Sequence, residues 1–263
     1  MNSYALILSY NGADFSGFAR QKDPAISTVQ ETLEQALTTV LRLDAPLLTV
    51  CAGRTDAGVH AREQVLSFEL DGSMLDDNQC RLLVRSVNAL TPESMNVKSI
   101  QPAKEGFSAR FDAQSRQYHY HIFNQTYPPV FTKDFAWHVS KKLDLALMQQ
   151  AAQGLMGEHD FHSFCTAQSV TDDKNTVRTI CEIEVTKRTI LGEELVIVSI
   201  VGSAFLHSQV RIMVGTLQEI AAGKRSSDDI PRILSARNRE AAGVTAPAHG
   251  LMLYQVSYPE DCF

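Results

Sequence analysis

One order of elements occurs twice along this chain, and that repetition restricts the fold more than any single segment does. Residues 4–10 read as a buried strand, and residues 28–41 as an amphipathic helix with Val29, Leu33, Leu37, Val40 and Leu41 on one stripe. Ser27 and Gln30 suggest a capping box in front of that helix. Strands are expected near 47–52 and 64–70, then a helix over about 78–90 stopped by Pro92, then a strand near 95–100. The second half runs through the same order: a strand at 116–123, a helix at 143–156, strands at 177–187 and 195–202, a helix at 207–222 and a last strand at 251–258. Strand, helix, strand, strand, helix, strand is the ferredoxin-like βαββαβ order, in which two helices cover one face of a four-stranded sheet. The expectation is an α+β fold of two pseudo-duplicated halves, 1–104 and 105–263, with mixed or antiparallel sheet, helices on one face and a cleft between the halves.

The halves differ in the connection between their middle strands. In the second half it is tight, near 189–193, whereas in the first it is long and polar and reads GRTDAGVHA over residues 53–61. Function is therefore expected in the long one. Gly53 and Gly58 let the backbone turn sharply or approach a ligand. By residue type alone, Thr55 and Asp56 could equally cap a turn through their side-chain oxygens. On the strand at 116–123, alternation puts Tyr118, Tyr120 and Ile122 on one face and His119, His121 and Phe123 on the other. A tyrosine stripe of that kind is either core or a stacking surface.

Composition excludes several classes. With 263 residues, 44% hydrophobic and 21% charged, the chain can bury a core and disorder is not expected. Its five cysteines are odd in number and lack any C-x-x-C spacing, so neither a disulfide framework nor a zinc knuckle is indicated. The longest apolar run, 195–201, is too short to span a bilayer, and residues 1–10 lack the features of a signal peptide, so no membrane association is expected and the cytoplasm is the expected location. His159 and His162 stand three apart and His119 and His121 share a face, but neither pair has a third ligand in sequence reach, and H-E-x-x-H, G-x-S-x-G, P-loop and G-x-G-x-x-G patterns are absent. No metal and no cofactor are expected. The net charge of −6 weighs against a nucleic-acid partner, although a basic cleft can sit within an acidic surface.

The 53–61 stretch resembles the catalytic motif of the TruA-type tRNA pseudouridine synthases. Further motifs follow in the same order along the chain: YNG at 10–12, VQE at 29–31, FSARF at 107–111, then SRQYHYHIFN, FLHSQVRIMVGTL and HGLML. The resemblance implies a cofactor-independent isomerase that converts uridine to pseudouridine in the anticodon stem-loop region of tRNA, and a homodimer. The reaction breaks the N1–C1′ bond, turns the detached uracil and rejoins it through C5. It needs a carboxylate, a pocket that retains the base, and a group to collect the C5 proton.

On the resemblance, Asp56 is the catalytic carboxylate and Arg211 its ion-pair partner, since a desolvated carboxylate stays ionised only beside a cation. Arg54 contacts the displaced nucleotide. Tyr118 stacks on the uracil and offers a hydroxyl for the proton, while Tyr120 is read as core. Six arginines, Arg54, Arg62, Arg110, Arg116, Arg178 and Arg211, are expected to line the cleft, and acidic residues including Asp71, Asp76, Asp77, Asp172, Asp173, Asp228 and Asp229 to gather at turns and helix starts. The chain departs from the family where Phe18 and Ala19 replace a tryptophan and a glutamine, and in the 159–169 segment where Cys165 replaces an arginine. Those departures suggest a reduced RNA grip. Two other readings compete: a synthase acting on other tRNA positions or another structured RNA, and a non-catalytic RNA-binding protein on the same scaffold. The Arg54, Asp56, Tyr118 and Arg211 set argues against the second, because a buried carboxylate repels phosphate.

Overall fold

A computed structural model describes residues 1–23, 25–166 and 175–263. Asp172, Asp173 and the end of the 159–169 segment lie outside the described residues. The chain divides into two compact units: unit 1 is Met1–Arg116 with Leu253–Phe263, and unit 2 is Gln117–Met252.

Unit 1 follows the expected order. β1 (Asn2–Tyr10) leads to α1 (Val29–Leu41), β2 (Val50–Cys51), β3 (His60–Leu70), α2 (Asp77–Asn88) and β4 (Met95–Pro102). Its strands run β4-β1-β3, with β2 on the far side of β3, which is the 4-1-3-2 arrangement of a ferredoxin-like sheet. Leu6, Leu8, Leu33, Leu37 and Leu66 are fully buried, and Tyr4 stacks on Phe68 at 5.3 Å. α1 and α2 pack on each other, and α2 lies against β4. The β1–β3 register slips between Leu8 and Tyr10, just where β3 emerges from the long loop.

The cap of α1 lies one residue later than the Ser27–Gln30 pair expected from sequence. Thr28 is the N-cap and accepts from the Glu31 N–H at 3.4 Å. Gln30 is committed elsewhere, donating from Nε2 to Glu34 Oε1 at 3.0 Å and to the Thr49 carbonyl at 3.1 Å. Glu34 is buried and fully engaged. Its Oε1 also accepts from the Thr49 N–H and hydroxyl at 2.8 and 2.9 Å, and its Oε2 pairs with Arg20. A carboxylate can be buried on these terms because it is both paired and hydrogen-bonded. α2, by contrast, starts on a complete Asp76–Gln79 capping box.

Unit 2 contains β5 (Ser115–Phe123) from Gln117 onward, β6 (Trp137–His138), α3 (Leu145–Gln153), β7 (Gly157–Asp160), β8 (Val177–Ile190), β9 (Glu193–Gly202), α4 (Gln209–Ala221) and α5 (Asp229–Ala236). The last strand, β10 (Leu251–Ser257), starts in unit 2 and passes into unit 1 at Leu253, where it joins the outer side of β3. The order β5-β9-β8 repeats β1-β3-β2, and α3 packs on α4 and β8, so the structural duplication is present in an α+β, mixed-sheet architecture. β6 runs parallel to β5, whereas β8 is antiparallel to both β7 and β9. Leu191 and Gly192 close the β8–β9 hairpin with φ of 50° and 82°, the two-residue turn whose twist suits a hairpin. β6, β7 and α5 were not expected. β7 is the polar tetrapeptide GEHD, which has no apolar alternation to announce it.

Candidate active site

The long connection of unit 1 is pinned peptide by peptide. Arg116 donates from Nε and Nη2 to the Ala52 carbonyl at 3.1 and 3.0 Å. Gln64 donates from Nε2 to the Gly53 carbonyl at 2.6 Å. The Phe18 N–H donates to the Thr55 carbonyl at 3.1 Å, and the Val59 N–H to the Asp56 carbonyl at 3.1 Å. Thr55 is buried, with its hydroxyl 2.7 Å from the Tyr10 hydroxyl. The residues after Asp56 turn on Gly58, whose φ of 76° is left-handed.

The segment after β1 presses on this loop from the other side. The Gly12 N–H donates to His60 Nδ1 at 3.1 Å, and Gly12 is so close to Val59 that a Cβ there would lie 2.1 Å from the Val59 carbonyl oxygen. The YNG motif thus supports the loop: Tyr10 holds Thr55 and Gly12 admits Val59. Thr55 serves as an anchor, its hydroxyl spent on Tyr10. Asp56 is half-buried and Arg54 is exposed.

Phe18 is fully buried, with its ring 6.3 Å from that of Tyr10. The departure from the family's tryptophan therefore changes packing beneath the loop, and the expected loss of an RNA contact there does not apply. Cys165 is likewise buried, with its thiol on the His162 carbonyl at 3.3 Å.

Arg116 requires a second correction. It is only 8% exposed, and besides the Ala52 carbonyl its guanidinium serves the carbonyls of Ala113 and Arg110 at 3.0 and 2.6 Å. A side chain committed in this way cannot line an RNA cleft. Alternation on β5 carried the signal, since Arg116 has the parity of the inward Tyr118, Tyr120 and Ile122. Arg54, Arg62 and Arg110 are exposed, Arg62 lying 4.3 Å over the Tyr254 ring.

In unit 2, Tyr118 is 7% exposed and meets Phe205 edge-on at 5.2 Å. Tyr120 is a core residue. It is fully buried, donates its hydroxyl to the Pro247 carbonyl at 2.8 Å, and leaves Gly250 no room for a side chain, because a Cβ there would lie 2.7 Å from the ring. Burial pushes the Tyr120 phenol well above its ordinary range, against the opposing charge of Arg211. It does not titrate in the physiological range. Arg211 is half-buried on α4, with Nε donating to the Ala246 carbonyl at 2.8 Å and its own carbonyl accepting from the Ala246 N–H at 3.1 Å. Asp56 and Arg54 belong to unit 1, Tyr118 and Arg211 to unit 2.

Among the described residues, no group of three or more His, Cys, Asp or Glu side chains could hold a metal ion. His159 Nε2 lies 2.7 Å from the Met156 carbonyl oxygen. No helix among these residues is long and apolar enough to cross a membrane.

The two βαββαβ repeats, with one long and tightly braced connection in unit 1, define an α+β protein of duplicated ferredoxin-like architecture. The chain matches the tRNA pseudouridine synthase family over residues 6–112 and 151–259, and it belongs to that family and to the isomerases. It is 41% identical over 251 residues to tRNA pseudouridine synthase A of Bacillus subtilis (strain 168), covering 95% of this chain and 97% of that protein. It is 42% identical over 258 residues to the Brevibacillus brevis protein of the same name, covering 98% and 100%. The protein of that name from Pseudothermotoga lettingae is 38% identical over 260 residues, covering 98% and 100%.

Proposed function

We propose that this protein isomerises uridine to pseudouridine in the anticodon stem-loop region of tRNA, with Asp56 as the catalytic carboxylate. The carrying observation is the bracing of the loop: the carbonyls of Ala52, Gly53, Thr55 and Asp56 each accept a hydrogen bond, which leaves Asp56 on a rigid support beside an exposed Arg54. Placement of that precision is what a nucleophile or charge-stabilising group requires. Arg54 engages the displaced nucleotide, Tyr118 stacks on the detached uracil, and Arg211 supplies the cation that keeps Asp56 ionised once the pocket closes. In this reading residues 1–104 carry the catalytic loop and residues 105–263 complete the site, in a homodimeric, cytoplasmic enzyme that needs no cofactor.

The test is tritium release from C5-labelled uridine in bulk tRNA by the Asp56→Asn variant, which keeps size and hydrogen bonding and removes the charge. Release should vanish while tRNA binding persists, because binding comes mainly from phosphate contacts. Activity within about tenfold of wild type, equal to ~1.4 kcal/mol of barrier, would remove Asp56 from the role. Mapping pseudouridine in cells that lack the protein identifies the positions modified.

A further inference from the structure

The two buried side chains that hold the approach to Asp56 have a feature that stability alone does not account for. Gln64, on β3, is completely buried and donates to the Gly53 carbonyl from 11 residues away, yet among the described residues its Oε1 has no hydrogen-bond partner. An unsatisfied buried acceptor is destabilising, and an apolar side chain of similar length would avoid it. Arg116, 64 residues from Ala52, brings two N–H groups of its fork onto one carbonyl, an arrangement that sets direction as well as distance. The clamped carbonyls, Ala52 and Gly53, are consecutive and immediately precede Arg54, Thr55 and Asp56.

We infer that Gln64 and Arg116 are positioning residues for the isomerisation, setting through the Ala52–Gly53 segment where the Asp56 carboxylate stands. Both act through the backbone and touch no substrate. A clamp of this kind raises the fraction of bound complexes in reactive geometry, so its loss should appear in kcat and hardly in KM. Its signature is a separation of activity from stability. Gln64→Met removes the orphan acceptor and leaves in its place the Gly53 carbonyl, which is only half-buried and within reach of water, so the fold should lose little while the loop loses its register.

The inference rests on the Asp56 reading, and the experiment separates the two. Full-length Gln64→Met, Arg116→Lys, Arg116→Ala and Asp56→Asn are compared by tritium release from bulk tRNA and by thermal unfolding. Gln64→Met and Arg116→Lys should each lower kcat by about tenfold or more, with KM within about threefold of wild type. The melting temperature of Gln64→Met should be unchanged or higher, and added guanidinium should restore part of the turnover of Arg116→Ala. Should the arginine variants fail to fold, Gln64→Met decides the matter. A folded Gln64→Met enzyme with kcat within about twofold of wild type would overturn the inference, as would a change confined to KM or a kcat loss matched by lost folded protein. Asp56→Asn that remains active removes the underlying reading instead. An inactive Asp56→Asn beside an unimpaired Gln64→Met removes only the positioning role.

Discussion

Replacing Gly12 with Ala tests whether the bracing of the Asp56 loop matters to turnover. The three atoms nearest the added Cβ are all backbone: the Val59 oxygen at 2.1 Å, its carbonyl carbon at 2.5 Å and its nitrogen at 2.9 Å. Ordinary contacts of this type lie near ~3.5 Å, so the Val59 peptide must retreat by about 1 Å or more. That peptide belongs to the turn closed by the Val59 N–H on the Asp56 carbonyl, and it adjoins His60, which accepts from the Gly12 N–H. A displacement of ~1 Å at a reacting group costs on the order of 10²-fold in rate, about 2.7 kcal/mol of barrier. Overpacking should cost roughly 1–3 kcal/mol of stability, a melting-temperature drop of roughly 2–12 °C for a chain of this length. Single-turnover tritium release at saturating tRNA reads the first quantity, and thermal unfolding the second. Gly72→Ala is the control: its φ of 99° strains any side chain, but no atom lies within 4 Å of the added carbon. That variant should lose some stability and retain its rate. Wild-type turnover in Gly12→Ala, or equal rate losses in the two variants, would refute the reasoning.

Tyr118→Phe should retain tRNA affinity through its ring and turn over more slowly, whereas Tyr118→Leu should lose both stacking and the edge contact with Phe205; normal turnover by both would leave Tyr118 a packing residue. Hydrogen bonds from the Thr132 hydroxyl and the Val130, Phe131 and Thr132 N–H groups hold the Glu193 carboxyl down to about 2, from its ordinary 4.5. Since the folded value is the lower one, the stability this group contributes is complete above pH 4.5 and is lost as pH falls toward about 2. Protection factors at residues 130–132, referred to the intrinsic exchange rate at each pH, should therefore fall on acidification in wild type and stay level in Glu193→Gln; equal acid responses would discard the assignment. Binding of tRNA should weaken steeply with salt in spite of the net charge of −6, through Arg54, Arg62 and Arg110 among others, with a log–log slope of at least about −3. A flat dependence would dispose of an RNA-binding surface.

The duplication and the long connection of the first half were legible in the sequence because both are written locally. Apolar spacing of 3.6 or 2 residues shows helix or strand without reference to distant partners, and a long polar connection rich in glycine stands out against a two-residue turn. The tertiary structure decided which side chains that pattern consumes. Arg116 reads as one more cleft arginine until Ala52, 64 residues away, is brought to it, and Phe18 reads as an altered RNA contact until its ring is found buried near Tyr10. The cap of α1 moved from Ser27 to Thr28 for the same reason, since the Gln30 side-chain oxygen accepts from the Arg20 N–H while its amide nitrogen serves Glu34 and Thr49. Burial and hydrogen-bond demand are properties of chain segments that meet only on folding, so local periodicity locates the elements and the loop, while non-local packing assigns each polar group to substrate or to scaffold.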